Sequence, residues 1–159
     1  METINIHTIT LSVDELALQR KHFAHLTDEQ FRFMLQQVDG YQRTKDKLPT
    51  FATIEDWWYP MRLSCEQCSS EATARYKSSL LPPPPFTLTD LTGGYGVDSY
   101  FMSEHATHAN YVERNEDLCK IVAHNFQTTR PQVDIHNTDA IHYLQDMSPC
   151  DVIYLDPAR

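Results

Sequence analysis

Along residues 86–156, short apolar runs alternate with longer stretches whose apolar positions recur at helical spacing. The runs "FTLTDL", "ANYVER", "VDIHN" and "DVIYLD" predict four strands, and "DSYFMSEHA", "EDLCKIVAHNF" and "DAIHYLQDM" predict the helices between them. Such alternation predicts a parallel sheet with crossover helices. Right-handed crossovers then bring the carboxyl ends of all four strands to one edge, where open α/β sheets bind their ligands.

Upstream the rhythm is helical throughout. "LSVDELALQRKHF" opens with Ser12 and Glu15 in capping-box spacing, and "LTDEQFRFMLQQVDGYQRTKDK" repeats the signal with Thr27 and Gln30. The second stretch sets Phe31, Met34, Leu35, Val38 and Tyr41 on one face. "FATIEDWWYP" predicts a packed loop or short helix, and "SCEQCSSEATARYKSSL" a final helix with a polar entry. The four prolines of "LLPPPPF" remove backbone donors and impose an extended, stiff path. The expected organisation is a helical N-terminal subdomain over 1–80, a proline linker at 81–85 acting as a hinge, and an α/β part over 86–159.

A chain of 159 residues with 41% hydrophobic content predicts a globular protein with one substantial core. No segment approaches the roughly 20 apolar residues of a membrane span. The start, "METINIHTIT", lacks the basic and apolar regions of a signal peptide. Four irregularly spaced cysteines do not make a disulfide framework, so a reduced, cytoplasmic setting is expected. "CEQC" at Cys65–Cys68 has no second ligand pair for zinc and no preceding strand for a redox motif; the pair is expected as two small residues on one helix face. No metal is expected. The scattered histidines are expected at surfaces and helix ends, and Trp57 and Trp58 in packing roles.

The net charge of −9 is uneven: residues 1–80 carry 9 Lys/Arg against 11 Asp/Glu, and residues 81–159 carry 4 against 11. So acidic a second half is a poor generic surface for nucleic-acid backbone, so any basic surface for RNA must come from residues 20–77, another chain or further sequence.

Candidate chemistry concentrates at the expected strand ends. The first strand ends at Asp90, the second at Glu113 and the fourth at Asp156, while Asp139 follows the third. Between Asp90 and Asp98 lies "LTGGYGV", whose Gly93, Gly94 and Gly96 permit a sharp turn and close backbone approach to a ligand. A phosphate-binding Walker loop would need a lysine and a Ser/Thr after the last glycine, and neither is adjacent. A dinucleotide loop would need a third glycine where Ser99 stands. Asp98 is placed to cap the following helix. Glu113, 17 residues after Gly96, suits a ribose diol, which donates two hydrogen bonds to one carboxylate. Asp139 either receives an adenine amine or caps a helix, and the proline after Asp156 ends its strand and turns the backbone.

In order, "DLTGGYG", "YVERN", "NTDA" and "YLDPAR" resemble the four successive motifs of class I S-adenosylmethionine-dependent methyltransferases. The resemblance implies a Rossmann-like sheet, of which the chain holds the first four strands, preceded by the helical subdomain. It implies S-adenosyl-L-methionine as cofactor, bound by Asp90, Thr92, Gly93, Gly94, Gly96, Asp98, Glu113, Arg114, Asp139 and Ala140. Asp156 and Pro157 fall on the motif that orients the substrate. "EQCSSEATARYK" resembles the lead-in of trimethylguanosine synthase-like enzymes, most closely the bacterial THUMP-like methyltransferases. That implies Gln67, Ser69, Ser70 and Glu71 near the cofactor and, by association, an RNA substrate.

Two departures qualify the match. Ala158 and Arg159 replace the second proline and the base-stacking aromatic of exocyclic-amine methyltransferases, and Arg159 instead suits a phosphate or carboxylate. The family sheet has seven strands, so a fragment of a longer protein is expected. The competing readings are a non-catalytic nucleic-acid or protein binding module on the same scaffold, and a nucleotide-linked oxidoreductase, which Ser99 and "DPAR" disfavour. Nothing in the sequence signals an oligomeric state.

Overall fold

In the computed structural model, which describes residues 5–157, eight α-helices and four strands follow in order. The helical part comprises α1 (Val13–Leu18), α2 (Asp28–Thr44), α3 (Pro49–Ala52), α4 (Arg62–Gln67) and α5 (Glu71–Ser79). Both expected capping boxes form: Ser12 with Glu15 starts α1, and Thr27 with Gln30 starts α2. Each box satisfies two backbone donors that a helix start would otherwise leave open. Phe31, Met34 and Val38 are buried along α2 at the spacing read from the sequence.

The single helix expected over 64–80 is two. Cys68 closes α4 in an extended conformation (φ −66°, ψ 159°), and Ser70, also extended, caps α5 by accepting from the Thr73 amide at 3.2 Å. A serine able to cap competes with helix continuation, so the chain stops and restarts here. Cys65 lies within α4 and Cys68 at its end, both as free thiols.

The α/β part comprises β1 (Thr87–Asp90), α6 (Val97–Met102), β2 (His108–Glu113), α7 (Glu116–Thr129), β3 (Val133–Asn137), α8 (Ala140–Asp146) and β4 (Val152–Tyr154). The sheet order is β3-β2-β1-β4 and every pairing is parallel. The chain winds outward from β1 to β3, then crosses to the other side of β1 to lay down β4. That reversal makes a topological switch point between β1 and β4. Asp90 pairs in register with Tyr111 on one side and Tyr154 on the other, so the ends of the three strands lie level.

One core runs beneath both sides of the proline segment. Phe51, Trp57 and Tyr59 from the helical part share a buried cluster with Tyr95, Tyr100, Phe101 and Phe126. Phe51 stacks on Trp57 at 4.1 Å and meets Tyr100 edge-on at 4.8 Å. The Trp57 indole donates to the Tyr95 hydroxyl at 2.7 Å, joining the helical part to the glycine loop through a buried polar pair. Trp58 packs on the α7 surface, stacked on His124 at 3.8 Å. No helix among the described residues is long and apolar enough to cross a membrane.

Candidate functional site

The glycine loop after β1 is held from three directions. From below, Asp90 is 1% exposed, and its carboxylate accepts from the Thr92 amide at 2.9 Å and from the Ser99 hydroxyl. Burial pushes its carboxyl up to about 6, against the lowering effect of the Ser99 and Thr92 hydrogen bonds. From the side, the buried Tyr111 ring lies against Gly93, and its hydroxyl donates to the Gly94 carbonyl at 2.5 Å. From β2, one oxygen of Glu113 accepts from the Gly94 amide at 3.0 Å while the other accepts from Asn115 N at 2.8 Å. Asn115 in turn caps α7.

Gly93 and Gly94 play different parts. A Cβ on Gly93 would stand 2.2 Å from a Tyr111 ring carbon, so only glycine fits against the ring. Gly94 has φ +54°, and a Cβ there would meet nothing nearer than the Thr92 carbonyl at 3.8 Å. The loop backbone therefore faces open space at Gly94, the geometry that lets a ligand approach the main chain.

Asp98 does not cap α6. The cap position is Gly96, two residues earlier and with φ +81°, leaving Asp98 in the first turn. Its Oδ2 accepts from Ser69 Oγ at 2.9 Å, Lys77 Nζ at 2.9 Å and Tyr154 Oη at 3.2 Å. Its Oδ1 is buried without a hydrogen-bond partner among the described residues. A buried acceptor left open is costly unless a ligand or water supplies a donor.

Lys77, absent from the expected site, joins these groups. Besides Asp98 and Ser69, its ammonium reaches Tyr154 Oη at 2.6 Å and Asp156 Oδ2 at 3.0 Å. Burial disfavours its charge, but hydrogen bonds to Tyr154, Asp98 and Asp156 outweigh that and raise its pKa above the ordinary lysine value. Burial likewise raises the Tyr154 phenol, with Lys77 pulling the other way. The Asp156 amide donates to Thr92 Oγ1 at 2.8 Å, so the glycine loop is tied to both β2 and β4.

Asp90, Thr92, Gly93, Gly94, Gly96, Asp98, Glu113, Ser69 and Asp156 thus converge on the carboxyl edge. Arg114 stands exposed beyond Glu113, and Pro157 is exposed after Asp156. Asp139 sits farther along the edge as the cap of α8, accepting from Ile141 N at 2.9 Å and His142 N at 3.4 Å, with Ala140 as the first helical residue. Its neighbour Thr138 donates to the Glu113 carbonyl at 3.1 Å. Gln67 ends α4 exposed. Ser70 caps α5, and Glu71 receives the Thr50 amide and hydroxyl at 2.9 and 2.7 Å, so these two serve the helical scaffold. Arg159 lies outside the described residues. Among those described, no group of three His, Cys, Asp or Glu side chains is placed to hold a metal ion.

No family model matches the chain, and no curated protein matches it in sequence. Among solved structures it is similar to a Porphyromonas gingivalis W83 protein provisionally described as a methyltransferase, with 30% identity and a TM-score of 0.72. That match covers 84% of this chain and 34% of the other, so the chain spans about a third of that protein's length. The C-terminal domain of precorrin-6Y C5,15-methyltransferase from Rhodobacter capsulatus shares the fold at 19% identity, covering 58% of this chain and 52% of that one, with a TM-score of 0.53. A Pyrococcus horikoshii protein provisionally described as an RNA methyltransferase shares it at 18% identity, covering 74% and 60%, with a TM-score of 0.51. The chain carries a Rossmann-like α/β fold, and these solved structures that share it are described as methyltransferases.

Proposed function

We propose that the carboxyl edge of the sheet binds S-adenosyl-L-methionine and that the protein is a methyltransferase acting on RNA. The observation that carries this reading is the pairing of Glu113 with the Gly94 amide where the loop backbone faces open space, together with the unsatisfied Asp98 Oδ1 at the start of the next helix. These features fit a ligand that brings hydroxyl and N–H donors to the edge. Gly94–Gly96 would face the methionine end, and Glu113, whose oxygens each retain a second acceptor site, would take the ribose hydroxyls. Asp139 would accept from the adenine amine, with Asp90 acting from beneath as the support of the loop.

The cofactor supplies an electrophilic methyl group on a cationic sulfur, so the chain's own task is alignment of the nucleophile. Asp156, with a side chain 60% exposed at the switch point, orients the substrate group that accepts the methyl. RNA as substrate is supported by the description of the Pyrococcus horikoshii protein, and the finer kinship with THUMP-like bacterial methyltransferases by the "EQCSSEATARYK" lead-in, whose Ser69 and Lys77 reach Asp98.

Calorimetry with S-adenosylhomocysteine tests the cofactor reading. The homocysteine compound binds and NAD does not; Glu113→Ala weakens binding by about 10- to 100-fold, the scale of hydrogen bonds to a charged group. A folded chain that takes up no S-adenosylhomocysteine contradicts the proposal.

A further inference from the structure

A single ammonium group joins the lead-in helix α5 to α6 and to the end of β4. Lys77 lies three residues after Ala74, which is fully buried, so it projects from the packed face of α5. Four oxygens stand within 3.1 Å of its nitrogen, from Ser69, Asp98, Tyr154 and Asp156. An ammonium has three protons, the Ser69 hydroxyl donates a fourth to Asp98 at 2.9 Å, and the Tyr154 hydroxyl supplies a fifth, shared with Asp98 and Asp156 at 3.2 and 3.1 Å. The network contains one cation, two carboxylates and two hydroxyls.

Its two ion pairs differ in kind. The Lys77–Asp98 pair is largely covered, with side-chain exposures of 23% and 16%, and it fastens α5 to α6. The Lys77–Asp156 pair ends on a carboxylate that is 60% exposed, where an ion pair adds little stability. Fastening the fold therefore accounts for the first pair and not for the second. The second lies at the switch point between β1 and β4, beside the Thr92 hydroxyl that receives the Asp156 amide.

We propose that Lys77 is a positioning residue, which with the Tyr154 hydroxyl fixes the direction of the Asp156 carboxylate toward an incoming N–H or O–H group of the substrate. The inference rests on the methyltransferase reading for the identity of the reaction. It adds to that reading a role for the lead-in helix on the substrate side of the cleft. With the cation at 3.0 Å, Asp156 works as a fixed hydrogen-bond acceptor and aligner.

The test compares the wild-type chain with Lys77→Met, Lys77→Arg and Tyr154→Phe. The readouts are the Asp156 side-chain carboxyl signal by carbon NMR, the backbone amides of α5 and α6, and S-adenosylhomocysteine calorimetry. Lys77→Met displaces the Asp156 carboxyl signal, Tyr154→Phe displaces it in part, and Lys77→Arg returns it toward the wild-type position. A purely structural lysine would move the α5 and α6 amides and leave the exposed Asp156 signal in place, and that result overturns the proposal. If Lys77→Met does not fold, an unmoved Asp156 signal in Tyr154→Phe overturns it equally. Wild-type binding of S-adenosylhomocysteine with an unmoved Asp156 signal rejects the positioning role alone. No binding to the folded wild type rejects the cofactor reading, and with it the role in transfer.

Discussion

Replacing Gly93 or Gly94 by alanine adds the same methyl group at neighbouring positions, yet the two sites make opposite demands. At Gly93 the new Cβ would stand 2.2, 2.5 and 2.6 Å from three Tyr111 ring atoms. That ring is fully buried, packs edge-on to Phe126 and is anchored through its hydroxyl to Gly94. Overpacking of this kind costs about 1–3 kcal/mol, and losing the anchoring hydrogen bond adds about 1 kcal/mol. A total of about 2–4 kcal/mol lowers the melting temperature of a chain this size by roughly 4–16 °C. Gly94→Ala meets no clash, since its Cβ faces open space, and bears only the left-handed backbone penalty of about 1–2 kcal/mol. If that space receives the cofactor, however, Gly94→Ala lowers S-adenosylhomocysteine affinity by more than about tenfold, the value of one lost polar contact. Thermal melting followed by circular dichroism, paired with calorimetry on the same samples, reads both effects. A Gly93→Ala chain melting within about 2 °C of wild type would refute the packing argument. Unchanged affinity in Gly94→Ala would refute the assignment of the open space.

The buried Asp90 predicts a pH dependence. Its carboxyl is raised in the folded chain from 3.8 to about 6, so between those values the folded chain holds a proton that the unfolded chain has released. Its contribution to stability is therefore full below the unfolded value and falls by about 3 kcal/mol as pH rises through the folded one. Urea unfolding of wild type and Asp90→Asn from pH 4 to 7 checks this: the wild type loses stability relative to the variant with rising pH, and a constant difference would contradict it. Trp57→Phe leaves the buried Tyr95 hydroxyl without its donor and costs about 1–3 kcal/mol by chemical denaturation. Asp139→Asn keeps the α8 cap and its stability, whereas Asp139→Ala loses about 1 kcal/mol. Both weaken adenosine binding if Asp139 faces the adenine, and an unaltered affinity in either variant would confine Asp139 to capping.

The four strands and the row of carboxylates are legible in the sequence because both follow from local periodicity, whereas the order β3-β2-β1-β4 does not. Apolar runs at β1 to β4 recur with helices between, and the crossover rule then aligns Asp90, Glu113 and Asp156 at one edge without any contact being known. The two capping boxes are equally local. The α4–α5 break is less so: Ser70 carries a capping signal, but helix-compatible residues on both sides mask it. Asp98 has the right spacing for a cap, yet Gly96 in the left-handed region starts the helix first and frees Asp98 to turn toward Lys77. Lys77 itself is hidden because, apart from Ser69, its partners lie 21, 77 and 79 residues away in sequence. Its one local signal is a lysine on the same helix face as the buried Ala74. The continuous core beneath the prolines is hidden for the same reason, since Trp57 meets Tyr95 across 38 residues.

On the proposed reading, the carboxyl edge over Gly94 and Glu113 receives a sulfonium cofactor. Backbone amide NMR of the nitrogen-15-labelled chain, titrated with S-adenosylhomocysteine and separately with NAD, tests it most directly. S-adenosylhomocysteine moves the amides of Gly94, Tyr95, Gly96 and Asn115 together with those of Thr92 and Asp156, while NAD leaves them in place. Amides left unmoved by S-adenosylhomocysteine, or shifts confined to residues away from this edge, would contradict the cofactor proposal.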